Sequence, residues 1–182
     1  MISHPIRVVL LLLAFIWSSV AARSQEPSEY QVEAAFLYYF AKFVVWPAEA
    51  FPQQNSPITI GILGEDPFGD ALETTVHNKT IDNHPFRIVH LDMKSLPEAS
   101  RCQILFICPS EKRRLSEILA AVKNSSVLTV SKMDKFIQSG GMINFWLEDK
   151  KVRFEINDEP ARRAGLKISA KLLNLSRHKE NP

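Results

Sequence analysis

Two cysteines and five histidines are the residues of this chain best suited to nucleophilic, redox or metal chemistry, and their spacing withholds most of it. His4, His77, His84, His90 and His178 contain no His-Glu-x-x-His and no pair at helical spacing with a carboxylate, so no zinc site is expected. There is no Gly-x-Ser-x-Gly elbow, no Gly-x-x-x-x-Gly-Lys phosphate loop, and no serine or cysteine beside an evident base. The expectation is a protein that is not an enzyme and carries no cofactor. Cys102 and Cys108 flank Gln103-Ile104-Leu105-Phe106-Ile107, which reads as a buried strand. Six strand residues separate the two thiols by about 20 Å, whereas a disulfide needs Cα atoms within about 7 Å. They are expected as two buried thiols, with a thiol that links two chains or senses redox state as the alternative.

Three further groups of residues are candidates for binding. The first is the turn Gly61-Ile62-Leu63-Gly64-Glu65-Asp66-Pro67-Phe68-Gly69, where a glycine-bearing loop joins a strand to a helix, as ligand loops of α/β sheets do. Gly64, Asp66 and Phe68 are its candidate ligand contacts. Asp66 capping a helix with Pro67 in its first turn explains the same residues without a ligand. The second is Asn144, Arg153, Glu155 and Asn157, polar positions alternating with Ile143, Phe145, Val152, Phe154 and Ile156, which a hairpin would gather on one face. That face is either a recognition surface or simply solvated. The third is Phe36, Tyr39, Phe40, Phe43 and Trp46, a surplus of aromatic residues on one helix that serves either a partner or dimer interface or a core packed on both sides.

The elements that must position these groups follow from periodicity. Glu26-Pro27-Ser28-Glu29 starts a helix with Ser28 as cap, and Tyr30 to Trp46 continues it until Pro47. Strands are expected at 58–63, 86–91, 104–107, 127–130, 142–147 and 152–156, the last two joined by a turn at Glu148-Asp149-Lys150-Lys151. Helices are expected at 68–76, 111–122 and 160–175, with a short helical turn at 134–138. This alternation describes an α/β layered sandwich with a largely parallel central sheet, a C-terminal antiparallel hairpin and flanking helices.

The amino terminus has a different character. Arg7, the largely apolar run Val8 to Val20, and Ala21-Ala22-Arg23-Ser24 have the layout of a secretory signal peptide, cleaved at about residues 22–24. The run is 13 residues, short of the roughly 20 of a membrane-spanning helix, and holds no cysteine for lipidation. Removing residues 1–24 leaves 20 basic residues against 20 acidic ones. A neutral domain of residues 25–182 has no basic patch to neutralise phosphates, so nucleic acid is not an expected partner.

Taken together, several stretches resemble the YfiR family of exported bacterial proteins. They are Glu33-Ala34-Ala35-Phe36-Leu37-Tyr38, Phe40-Ala41-Lys42-Phe43 with Trp46-Pro47, Gly61-Ile62-Leu63-Gly64 with Asp66-Pro67-Phe68-Gly69, Gly140-Gly141-Met142-Ile143-Asn144-Phe145, Arg153-Phe154-Glu155-Ile156-Asn157, and Ala164-Gly165-Leu166-Lys167-Ile168-Ser169 with Lys171-Leu172-Leu173. The resemblance implies a periplasmic repressor that binds the periplasmic sensory region of an inner-membrane diguanylate cyclase and lowers cyclic di-GMP, the messenger of biofilm regulation. It also implies a homodimer and an outer-membrane partner that sequesters the repressor. The sequence departs from the family pattern at Tyr39, Val45 and Ala170, and two cysteines exclude a two-disulfide framework. A different reading from the residues is a periplasmic small-molecule sensor acting on another membrane protein, such as a sensor kinase or receptor.

Overall fold

Ser28 accepts a hydrogen bond on Oγ from the Gln31 amide at 3.3 Å, and Gln31 Oε1 accepts from the Ser28 amide at 2.7 Å. This reciprocal cap satisfies two amide donors at the start of α1, Glu29–Phe43. The computed structural model describes residues 27–177, so the expected signal peptide and His178 lie outside the described residues. Among the described residues no helix is long and apolar enough to cross a membrane.

After α1 come β1 (Val44–Val45), β2 (Ile58–Leu63), α2 (Asp70–Val76), β3 (Thr80–Ile81), β4 (His84–Leu91), β5 (Ile104–Ile107) and α3 (Leu115–Val122). The chain continues through β6 (Leu128–Ser131), β7 (Ile143–Glu148), β8 (Lys151–Ile156), α4 (Asp158–Arg163), β9 (Lys167–Ile168) and α5 (Ala170–Leu175). Seven strands form one sheet in the order β3-β4-β2-β5-β6-β7-β8. β4, β2, β5, β6 and β7 run parallel, whereas β3 and β8 pair antiparallel with β4 and β7. The fold is therefore the expected α/β sandwich with a mainly parallel sheet and a C-terminal antiparallel hairpin.

Both faces of the sheet are covered, which is why every residue of β2 and of β5 is buried. On one face Ile58, Ile60, Ile62, Ile104 and Phe106 pack with residues of α1, α2, α4 and α5. On the other, Leu105 and Ile107 pack with Leu115, Ile118 and Val122 of α3 and with Leu96 and Ala99 of a 3-10 turn.

The four helices expected from the sequence are all shorter in the structure, two of them markedly. α1 stops at Phe43 rather than Trp46, because Val44 turns to an extended conformation and Val44–Val45 pair antiparallel with Ile168 and Lys167. Two consecutive β-branched residues followed by a residue that must be extended before Pro47 favour that exit. The expected C-terminal helix 160–175 is two helices separated by β9. Gly165, at φ +76°, takes the left-handed conformation that ends α4, and Ser169 caps α5 by accepting from the Leu172 amide at 3.2 Å. Elsewhere α2 starts at Asp70 rather than residue 68, and Pro109–Arg114 precedes α3 as a 3-10 turn instead of its first helical turns.

Phe40 of α1 is fully buried, whereas Tyr39 is 47% exposed. Phe40→Ala should therefore cost about 3–5 kcal/mol in urea unfolding, and Tyr39→Ala no more than about 1 kcal/mol. Equal losses would contradict the orientation of the helix.

Candidate functional site

The five aromatic candidates of the first helix divide into two sets. Phe36 and Phe40 turn inward: the Phe36 ring lies 5.1 Å from Phe154 and 6.0 Å from Phe145, and Phe40 lies 5.2 Å and 5.6 Å from the same rings. Trp46 is also buried and donates from Nε1 to the Gln103 carbonyl at 3.2 Å. Tyr39 turns outward and stacks on half-buried Phe43 at 6.4 Å, while Lys171 of α5 places its ammonium 5.1 Å from the Phe43 ring. Beside them Val45 is 62% exposed, because Val44 takes the inward position of β1. Tyr39, Phe43 and Val45 form the accessible apolar surface of this region.

Strand register places Asn144 opposite Glu155 and Trp146 opposite Arg153, so these side chains share one face of the hairpin. Their roles differ. Asn144 is buried and its Oδ1 accepts from the Met133 amide at 3.0 Å, holding the turn that follows β6. Asn157 caps α4 by accepting from the Glu159 amide at 3.3 Å. Arg153 donates from Nε to Glu148 at 3.0 Å, and with half-buried Glu155 it forms the accessible part of this face.

The loop after β2 is closed by its own contacts. Gly64 sits at φ +102°, and a Cβ there would lie 2.5 Å from Ser110 Oγ, which instead accepts from the Glu65 amide at 3.1 Å. Asp66 Oδ1 accepts from the Phe68 amide at 2.7 Å, and Oδ2 is 2.8 Å from His90 Nε2. Asp66 thus makes a local turn rather than the helix cap expected of it; Gly69 occupies the cap position of α2. Phe68 is buried edge-on against Phe106 at 4.8 Å and Tyr30 at 6.0 Å.

Cys102 and Cys108 are buried, free thiols that belong to the apolar clusters on opposite faces of the sheet. Burial pushes Cys102 up to about 11, against a lowering influence of Arg87. Burial also pushes Cys108 up to about 12, with Asp66, Glu111 and Glu65 adding to the rise. Both thiols are held in the unreactive protonated form at neutral pH.

One group escaped the sequence reading. Glu33 is 0% exposed, and neither of its carboxyl oxygens has a hydrogen-bond partner. Lys132, just beyond β6, brings Nζ to 3.5 Å from Glu33 Oε1, pairs with Glu29, and lies 5.4 Å from the Tyr30 ring. Burial pushes the Glu33 carboxyl up to about 8 and lowers the Lys132 ammonium. An ammonium at 3.5 Å favours the carboxylate, so the rise means that desolvation outweighs the attraction. The signal was present in the sequence: Glu33 stands four and seven residues before Leu37 and Phe40, on their helical stripe.

The domain thus combines an exposed apolar helix face, a polar hairpin edge and a buried Glu33 beside the partly exposed Lys132 and Glu29. The chain belongs to the YfiR/HmsC-like family: the model of that family, DUF4154, matches residues 30–177. A solved structure, a conserved domain protein from Vibrio cholerae O1 biovar El Tor, superposes with a TM-score of 0.57 at 8% identity, over 82% of this chain. At that identity the likeness concerns the fold alone, and the chain spans 59% of the length of that protein. No curated protein matches the chain.

A carboxyl raised from 4.5 to about 8 makes the folded state hold a proton that the unfolded state has lost. Stability then falls as pH rises from 4.5 to 8, by about 1.4 kcal/mol per pH unit at most. Glu33→Gln should flatten that slope and leave the variant more stable than the wild type at pH 8 in urea titrations. Parallel pH profiles of the two proteins would refute the assignment.

Proposed function

We propose that this protein is a periplasmic regulatory binding protein, not an enzyme, that represses an inner-membrane diguanylate cyclase by binding its periplasmic sensory region and so lowers cyclic di-GMP. The observation that carries this reading is the exposed apolar surface of Tyr39 and Val45 beside Phe43, in a chain of the YfiR/HmsC-like family. Apolar side chains left at the surface of a domain with a well-filled core are the residues an interface buries. Arg153 and Glu155 on the hairpin supply a separate polar face, suited to a homodimer contact or to an outer-membrane protein that sequesters the repressor. Export by residues 1–24 belongs to the same proposal, because the cyclase's sensory region is reached only from the periplasm.

Deletion of the gene should raise cyclic di-GMP, and a chain expressed with its own leader should restore the wild-type level and recover the cyclase from solubilised membranes. Tyr39→Glu and Val45→Glu should each weaken that recovery by about tenfold or more while leaving the circular dichroism spectrum unchanged. Unaltered cyclic di-GMP on deletion, together with no cyclase in the pull-down, would sink the repressor reading.

The second reading, a periplasmic small-molecule sensor acting on a sensor kinase or receptor, is favoured by one observation. An open groove lined by arginines lies at the end of the sheet opposite the Gly64 loop.

A further inference from the structure

That groove has a volume of about 710 Å³ and opens at the amino-terminal ends of β2 and β5. Its walls come from the 50–57 loop, from residues 100–103 before β5, and from the 124–126 segment after α3. Two of its lining residues, Arg87 and Arg101, are cations; one, Glu49, is a carboxylate. None of the ion pairs among the described residues involves Arg87 or Arg101. Two guanidinium groups and one carboxylate give the lining itself a net positive charge, with Glu98 as the neighbouring carboxylate that also acts on Cys102.

Arg87 is held in place rather than loose. Its Nε and Nη2 donate to Thr59 Oγ1 at 3.3 Å and 3.0 Å, and Thr59 is buried on β2 opposite Arg87 on β4. A guanidinium carries five N–H donors in a rigid plane. With two directed at Thr59, three remain, oriented without further loss of rotamer freedom when a ligand arrives. The rest of the lining is small and mostly polar, including Ser100, Asn124 and Ser125. Such a surface offers hydrogen-bonding groups alongside apolar area from Ala50, Pro52 and Pro57.

We propose that this groove binds a small polar molecule through an oxyanion, a carboxylate or a phosphate, engaged by the guanidinium groups of Arg87 and Arg101. Oriented guanidinium donors match the planar pairs of oxygens that both anions present. The site is separate from the Gly64 loop, whose polar groups pair internally, and it does not depend on the cyclase reading. Binding here leaves the outer face of α1 free for a protein partner.

The test uses the full chain at constant ionic strength, titrated by calorimetry with inorganic phosphate and, separately, with citrate, balanced by chloride. Saturable heat with phosphate alone assigns a phosphate-bearing ligand; saturable heat with citrate alone assigns a carboxylate; either supports the site. Arg87→Gln and Arg101→Gln should each weaken binding by about tenfold or more, the loss of a charge-assisted hydrogen bond. Arg163→Gln, which removes a cation paired with Glu159 outside the groove, should leave binding unchanged. Arg101 is exposed, so its substitution reports on binding even if Arg87→Gln disturbs the hold on Thr59. No saturable binding of either anion, or binding that survives Arg101→Gln, overturns the proposal.

Discussion

Four phenylalanine rings fix the relation between the first helix and the end of the sheet. Phe36 and Phe40 lie one helical turn apart, and each meets both Phe145 of β7 and Phe154 of β8, which are themselves cross-strand partners. Once these rings interlock, the rotation of α1 is determined, because each residue advances about 100° round the axis. Leu37 and Ala41 must then also face inward, Glu33 is carried into the core with them, and Tyr39 and Lys42 are left outside. The buried carboxyl and the exposed tyrosine are thus two consequences of one packing decision.

The far end of the same helix is held by a different device. Gln103, just before β5, accepts on Oε1 from the Thr59 amide at 2.8 Å and donates from Nε2 to the Ala50 carbonyl at 2.7 Å. Its backbone carbonyl also receives Trp46 Nε1. A single buried amide therefore ties the segment leaving α1 to two central strands, with every polar atom of its side chain satisfied. The β1–β9 pair adds the C-terminal segment to this junction, since the Ser169 amide donates to the Phe43 carbonyl at 2.9 Å. The apolar patch of Tyr39, Phe43 and Val45 rests on this braced corner, so its side chains are presented by a framework with little freedom to move.

Much of this was legible in the sequence, and the parts that were not share a cause. The strands of the central sheet read clearly because runs such as Ile58 to Leu63 and Ile104 to Ile107 are apolar without interruption, as a sheet covered on both faces requires. Val44–Val45 and Lys167–Ile168 did not, because a two-residue strand has no period; only their pairing with each other makes them strands. The helix 160–175 read as continuous for the same reason, since Ala161, Ala164, Ile168 and Leu172 fit a helical stripe until β1 captures the middle of it. At the hairpin, alternation placed Asn144 and Arg153 on one face, which the register bears out. It gave no hint that Asn144 is committed to the Met133 amide, a contact that depends on where the turn before β7 returns.

The two ends of the parallel strands also divide the labour in an unusual way. In open α/β sheets the crevice beyond the carboxyl ends of the strands, where the chain reverses its direction of crossing, is the ordinary place for a ligand. Here that reversal occurs at β2, with β4 on one side and β5 on the other, and the loop beyond it begins at Gly64. Yet the Ser110 hydroxyl receives the Glu65 amide, Asp66 is divided between the Phe68 amide and His90, and Phe68 fills the space above Phe106. The groups that would greet a ligand have been consumed in closing the loop. At the opposite ends of β2 and β5, Gln103 holds the 47–57 segment at a distance set by its side chain, and the groove that remains is lined by cations. The fold's usual opening is sealed by local hydrogen bonds, and its usual floor is propped open by one.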